Sequence, residues 1–400
     1  MIRHAAVFLA ALAIGACHGG SPGQPSAQSA ASPALLLPLE GPDGKYGYIN
    51  AAGAFVIAPQ FSEAFAFRDD LAAVGVGDLL HRKYGFIGRD GKFVIEPQYD
   101  GAGSFSEGLA SVTVAHLSGF IDRHGTLVIS PRFDRANDFH NHVAPVRVAG
   151  RWGLIDPKGS YVLTPVFDNV FENAEGLSAV RIKGRYGYVD SKGQFAINPR
   201  FAASYFFSEG LSAFEDAQGK WGYVDPQGNT VIAPTYDDAL NFREGLAAVR
   251  IGKVFGFIDK SGRQAIAPRF DGVGGIPNGF SEGMAAVRVG QQWGYIDRAG
   301  KILIPPQFGG VELDDSLNDW SFHGQVASVL IGDKGGYINH AGKLIALAQQ
   351  RALQPCGQCA ISRPAAAART GIRTAGVIVV AVARRRASLQ ESRGRAAGRW

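Results

Sequence analysis

Glycine recurs in this chain in a register that leaves the fold little freedom. Nine glycines, each followed by a large apolar residue and then Ile or Val, stand at Gly47, Gly85, Gly119, Gly153, Gly187, Gly222, Gly256, Gly294 and Gly336, 34 to 42 residues apart. Six positions after every one lies a second glycine, from Gly53 to Gly342, and twelve positions after the first eight lies a proline, from Pro59 to Pro306. Self-similarity at a fixed period of this size means one supersecondary unit used many times, its copies burying each other's faces.

The stretch Val146–Glu175 shows what the unit is. Val146-Arg147-Val148 alternates apolar and polar, Ala149-Gly150-Arg151 turns, and Trp152-Gly153-Leu154-Ile155 returns, which is a hairpin. Asp156-Pro157-Lys158-Gly159 is a second turn, with Asp bonding the following amides and Gly supplying positive φ. Tyr161-Val162-Leu163 is a third strand, and Pro165, with no N–H, ends its pairing or marks an exposed edge. No window carries helical periodicity, so the expectation is an all-β body of three-stranded repeats over residues 45–345. Two stackings would satisfy it, an open superhelical array with capped ends or a closed propeller. Three strands are fewer than a usual propeller blade has, which favours the open array.

Most anchor glycines follow a large ring: Tyr46, Tyr84, Trp152, Tyr186, Trp221, Phe255 and Trp293. A glycine within a strand implies that a ring or backbone packs onto its bare Cα. The unit resembles the WG repeat of bacterial proteins, named for pairs such as Trp152-Gly153, Trp221-Gly222 and Trp293-Gly294. The resemblance implies an architecture and is nearly silent about activity. Ser118 and Gly335 depart from it at the ring position, Gly88 at the turn Asp, and Ala348 at the ninth proline.

Residues 1–16 read as an export signal: Arg3 and His4, then the apolar run Ala5–Ile14, too short to span a bilayer. The sequence Ile14-Gly15-Ala16-Cys17 resembles a bacterial lipobox, which implies cleavage before Cys17 and lipid on its sulfur. Residues 17–44, rich in Gly, Ser, Pro and Gln, suit a flexible tether. Membrane attachment would thus be through a lipid anchor, at the outer membrane by family analogy from His18. Residues 346–400 break the repeat grammar, and an Arg/Ala-rich, disordered tail is expected there. Ten Arg against Glu391 in 351–400 account for the net charge of +5; without them the chain is mildly acidic, so no nucleic-acid partner is expected.

Chemistry is harder to find. The recurring Asp122, Asp156, Asp190, Asp225, Asp259 and Asp297, and the recurring Glu107, Glu175, Glu209, Glu244 and Glu282, sit at turn positions and read as structural. His140 and His142 would share a face if they stood on a strand, but no third ligand with metal-site spacing accompanies them, and they read as solvated loop histidines. Cys356-Gly357-Gln358-Cys359 lacks a second pair. No metal, cofactor or catalytic residue is expected. Length irregularities say more: extra residues at Asp78–Arg82, Gly272–Gly279 and Gly310–Ser321, the last two in the same loop of adjacent repeats. The longest combines Glu312, Asp314, Asp315 and Asp319 with Trp320, an acidic, aromatic candidate contact loop for a partner. The function expected is a non-enzymatic binding or scaffold surface in the cell envelope, facing a protein or glycan. The alternative is an envelope hydrolase with its site in the concave face.

Overall fold

The pairings around Gly153 show how a unit is built. In the computed structural model, residues 35–274, 279–309, 321–332 and 334–348 are described, and all their regular structure is strand. The fourth module has strands Arg135–Ala136, Ala144–Val148, Arg151–Ile155 and Tyr161–Phe167, bonded in chain order as an antiparallel sheet. The last three are the strands expected from sequence. The first adds only the pairs Arg135↔Arg147 and Ala136↔Val146, too short to leave an alternation pattern. The modules around Gly85 to Gly256 are all four-stranded; the first has three strands, and the last two are joined through Gly309↔Leu330.

Glycine and proline co-occur for a reason visible in the register. Trp152 pairs with Phe167, but Leu154 pairs with Leu163, so the fourth strand bulges at Thr164-Pro165-Val166 opposite Gly153. The proline occupies a place where no ladder N–H is needed. A Cβ on Gly153 would strike the Leu163 carbonyl and come 2.9 Å from Pro165 N. The neighbour that demands a bare Cα is therefore backbone of the module's own fourth strand.

The core lies between modules. The ring following the anchor glycine meets a phenylalanine on or just after the first strand of the next module: Tyr48 with Phe67, Phe86 with Phe105, Phe120 with Phe139, Tyr188 with Phe207, and Tyr223 with Phe242. Each such aromatic pair contributes about 0.5–1.5 kcal/mol beyond its burial. Tyr48, Tyr188 and Tyr223 also donate to the next module's backbone, at Phe65, Tyr205 and Leu240. The turn glycine of each module rests against the previous module's fourth strand, as Gly125 does on Ile95 and Gly262 on Ile232.

The same contacts join the last module to the first. Gly53 meets the backbone of Ile345 as Gly193 meets that of Val162. Tyr337 donates to the Pro38 carbonyl, and Leu39 and Ile49 share an apolar cluster with Val326 and Tyr337. The stack of β modules is as expected, but its ends meet, so the arrangement is the closed ring rather than the open array. Two facts account for this: the short first strand completes a four-stranded blade, and closure buries the end faces that an open stack must cap.

Each module sends its first-to-second-strand and third-to-fourth-strand turns to one end of its sheet. The hairpin between second and third strands, and the link to the next module, lie at the other.

Candidate functional site

The recurring carboxylates have defined tasks. Asp122 Oδ1 accepts from the amides of His124 and Thr126, and Asp156, Asp190, Asp225, Asp259 and Asp297 repeat the pattern. They are turn residues, as the sequence implied. The glutamates are turn residues too, with φ of 49–54° at Glu107, Glu175, Glu209, Glu244 and Glu282. Their side chains do something the sequence did not show: each reaches the equivalent turn of the next module. Glu175 accepts from Glu209 N and Gly210 N, Glu209 from Gly245 N, Glu244 from Gly283 N, and Glu282 from Gly324 N and Gln325 N.

One junction departs from this scheme, between the fourth and fifth modules. Leu154 replaces the ring after the anchor glycine, and Asn173 replaces the phenylalanine that should meet it. Asn173 is buried, accepts from Asn141 Nδ2 at 2.9 Å and donates to Ser178 Oγ at 3.2 Å. A buried amide survives only with such partners. Around it stand Asp138 and His140 on the fourth module and Glu172 on the first strand of the fifth. His140 Nε2 lies 3.4 Å from Glu172 Oε2. That carboxylate raises the His140 pKa. Burial, then the charge of Glu172, pushes Asp138 up to about 6. Asp138 packs back onto the third module, where Gly103 leaves room: a Cβ there would come 3.0 Å from Asp138 Oδ1. The cluster holds two carboxyls and an imidazole, of which Asp138 and His140 are both raised in pKa. They are also ligand types for a divalent ion, though no group of three such side chains in ligating geometry occurs among the described residues.

His140 and His142 do not share a strand face but belong to a loop, the reading the sequence favoured. Asn141 and His142 have φ of 51° and 63°, in the turn between first and second strands. His142 instead offers its amide to Glu107 Oε2 at 2.9 Å, the fourth module's place in the glutamate ladder. Neither of two surface clefts, about 150 Å³ beside Tyr236, Phe257 and Ile266 and about 320 Å³ beside Arg181 and Arg185, is lined by a carboxylate. The candidate contact loop with Glu312, Asp314, Asp315, Asp319 and Trp320 lies outside the described residues, as do Cys17 and Cys356–Cys359. The sequence reading missed Asp138, Glu172 and Asn173. The signal was present: residue 173 is the one place where the first-strand phenylalanine of modules two to nine becomes polar.

The repeat register is that of a known family. The profile of the WG containing repeat matches residues 46–79, 84–114, 119–152, 152–186, 186–216, 221–254, 255–292 and 293–313. The chain belongs to the WG containing repeat family. No curated protein matches this WG-repeat chain. Among solved structures it is similar to one described as a eukaryotic initiation factor, at 12% identity and a TM-score of 0.54, covering 80% of this chain and 100% of that one. BamB from Moraxella catarrhalis is similar at 12% identity and a TM-score of 0.40, covering 68% and 91%. The computationally designed Ika8 protein is similar at 10% identity and a TM-score of 0.40, covering 70% and 93%. At such identities the likeness concerns the fold alone.

Proposed function

We propose that this WG-repeat ring is a non-enzymatic binding or scaffold surface of the cell envelope, presented to a protein or glycan partner and anchored by lipid on Cys17. The observation that supports the reading is closure. A frame whose modules are bonded to one another and back to the first holds its surface groups at fixed spacing, and such preorganisation lowers the entropic cost of recognition. The extended segments entering the eighth and ninth modules are the natural contact elements on that frame. Cross-linking in intact envelopes, with and without residues 312–320, tests this. Loss of a captured partner on deletion supports the loop as the contact; unchanged capture places the contact elsewhere on the ring, and no capture by either form removes the reading. Cys17→Ser should move the protein from the detergent phase to the aqueous phase.

The alternative, an envelope hydrolase, draws its support from Asp138, Glu172 and His140. A carboxyl pushed up to about 6, with a second carboxyl at the same junction, is the kind of pairing that acid–base hydrolysis uses. Turnover of an envelope glycan that disappears in Asp138→Asn, with folding unchanged, would favour it.

A further inference from the structure

At the hairpin end of the ring, a cation recurs two positions before the anchor glycine. In three modules it reaches a carboxylate seventeen positions later, on the link to the next module. Lys83 pairs with Asp100, Arg151 with Asp168, and Lys220 with Asp237. In the first module Lys45 is followed seventeen positions on by Ser62, and the fifth module breaks the rule as well. It has the cation, Arg185, but the position seventeen residues on is Ala202. The sixth module can dispense with an Asp there because Asp216 caps its own hairpin, accepting from Gln218 N and Lys220 N.

The missing carboxylate leaves a cleft. Arg181, Gly184, Arg185, Ala202 and Ala217 line about 320 Å³ between the fifth and sixth modules. That volume is within the range of small-ligand sites. The Arg185 side chain has no hydrogen bond or ion pair among the described residues, and Arg181 Nε, like Arg147 Nε at the same place in the fourth module, is buried without a partner. Arg181 is fixed over the Tyr186 ring, 5.6 Å from its centroid. In the seventh and eighth modules its counterparts are occupied: Arg250 donates to Asp237 O and Gly252 O, and Arg288 to Asp271 O and Gly290 O. Two carboxylates approach the region. Asp168 is held by Arg151 and the Gly184 amide. Glu215 reaches toward Gly219, 3.7 Å from where its Cβ would be. Neither lines the cleft.

We infer that the Arg181–Arg185 cleft is a binding site for a carboxylate, which takes the place that a link Asp fills at Asp100, Asp134, Asp168, Asp237 and Asp271. A guanidinium grips a carboxylate through two parallel N–H···O bonds, and Arg181, Arg185 and the turn Lys183 give the site its charge. The carboxylate could belong to a small organic acid or to an acidic side chain of a peptide, and the test separates the two. The inference is independent of the proposed partner surface.

The experiment titrates the full chain with succinate, with a blocked tri-aspartate peptide and with inorganic phosphate, followed by calorimetry. Saturable binding of succinate or the peptide is expected, weakened tenfold or more by Arg185→Ala. Ala202→Asp should abolish it while raising the melting temperature by about 2 °C, because it restores the internal pair. Succinate binding identifies a small acid as sufficient; binding of the peptide alone identifies an acidic segment. Absence of saturable binding of either acid overturns the inference. So does equal or tighter binding of phosphate, or binding that survives both substitutions.

Discussion

The hydroxyl of Tyr337 donates to the carbonyl of Pro38 at 2.9 Å, across 299 positions of sequence. Like Tyr223 inside the ring it donates to the next module's backbone, but Tyr223 meets the segment ahead of the second strand at Leu240, whereas Tyr337 meets the strand paired with Gly47 itself. The seam has no covalent link, whereas every other junction has one. Tyr337→Phe should therefore cost about 1 kcal/mol, the usual net value of such a bond, and Tyr223→Phe a similar amount. Deleting residues 35–40 should do more, exposing Val326 and Tyr337 and opening the ring. Small-angle scattering would show this as an increased radius of gyration; an unchanged radius would mean the seam is held by other contacts.

The anchor glycines and the turn glycines should differ in their response to a methyl group. On Gly187 a Cβ would lie 2.5 Å from Ile197 O and 2.7 Å from Pro199 N, both backbone atoms that cannot swing aside. Gly187→Ala should cost about 3 kcal/mol or more, through strain at the bulge. On Gly176 a Cβ would meet nothing within 4 Å, and the cost comes only from its φ of +84°. Gly176→Ala should cost about 1 kcal/mol. Paired urea unfolding curves decide this, and equal losses would refute the assignment of strain.

Gly153 and Pro165 show how the fold was legible in sequence. A bulge and the bare Cα it needs leave two residue types at fixed spacing in every copy, so repeat and strand order could be read directly. Closure could not. Arg135–Ala136 is a strand of two residues, and whether Gly53 meets Ile345 depends on small rotations summed over nine modules, which no local pattern encodes. The site was less legible still. Glu175 and Glu209 were readable as turn residues, but their side-chain bonds join residues 34 positions apart. Asp138 and Glu172 acquire their character from being brought together across a junction, while each alone is an ordinary polar residue on or just after a short strand.

Glu282 tests the ladder where it carries most. Its carboxylate accepts from Gly324 N at 2.6 Å and Gln325 N at 2.9 Å, and it lies 2.9 Å from His340 Nε2. Glu282→Ala removes the acceptor of two turn amides and should cost about 1–2 kcal/mol. Glu282→Gln keeps one acceptor oxygen and should recover part of that. Hydrogen exchange at Gly324 and Gln325 should quicken in the alanine variant and stay slow at Gly210, whose amide bonds to Glu175. Uniform acceleration around the ring would show that the ladder is one cooperative unit instead of a set of local ties.

Asp138 and His140 give the ring a stability that falls as pH rises toward neutrality. Asp138 titrates at about 6 in the folded protein against an ordinary 3.8, because burial and then Glu172 disfavour its charged form. The folded state thus binds this proton more tightly than the unfolded chain, so stability declines as pH climbs from about 4 through 6. His140 is raised, chiefly by its bond to Glu172. Its stabilising contribution is complete below about 6.5 and is lost as pH rises through the higher folded value. Both groups act in the same direction. Opposing them, Asp100 and Asp237 are lowered, first by Lys83 and by Lys220 respectively. Their contribution is present above the ordinary carboxylate range and fades only in acid. A stability maximum near about pH 4, with a decline toward neutrality, follows for these groups together. Asp138→Asn removes the unfavourable ionisation, and at pH 7.5 it should be more stable than the native protein by about 1–2 kcal/mol, part of the gain being offset by a weaker charge on His140. At pH 4 the two proteins should melt together. Melting curves from pH 4 to 8 measure this, and an Asn variant less stable at pH 7.5 would show that the Asp138 carboxylate is held by favourable contacts at this junction.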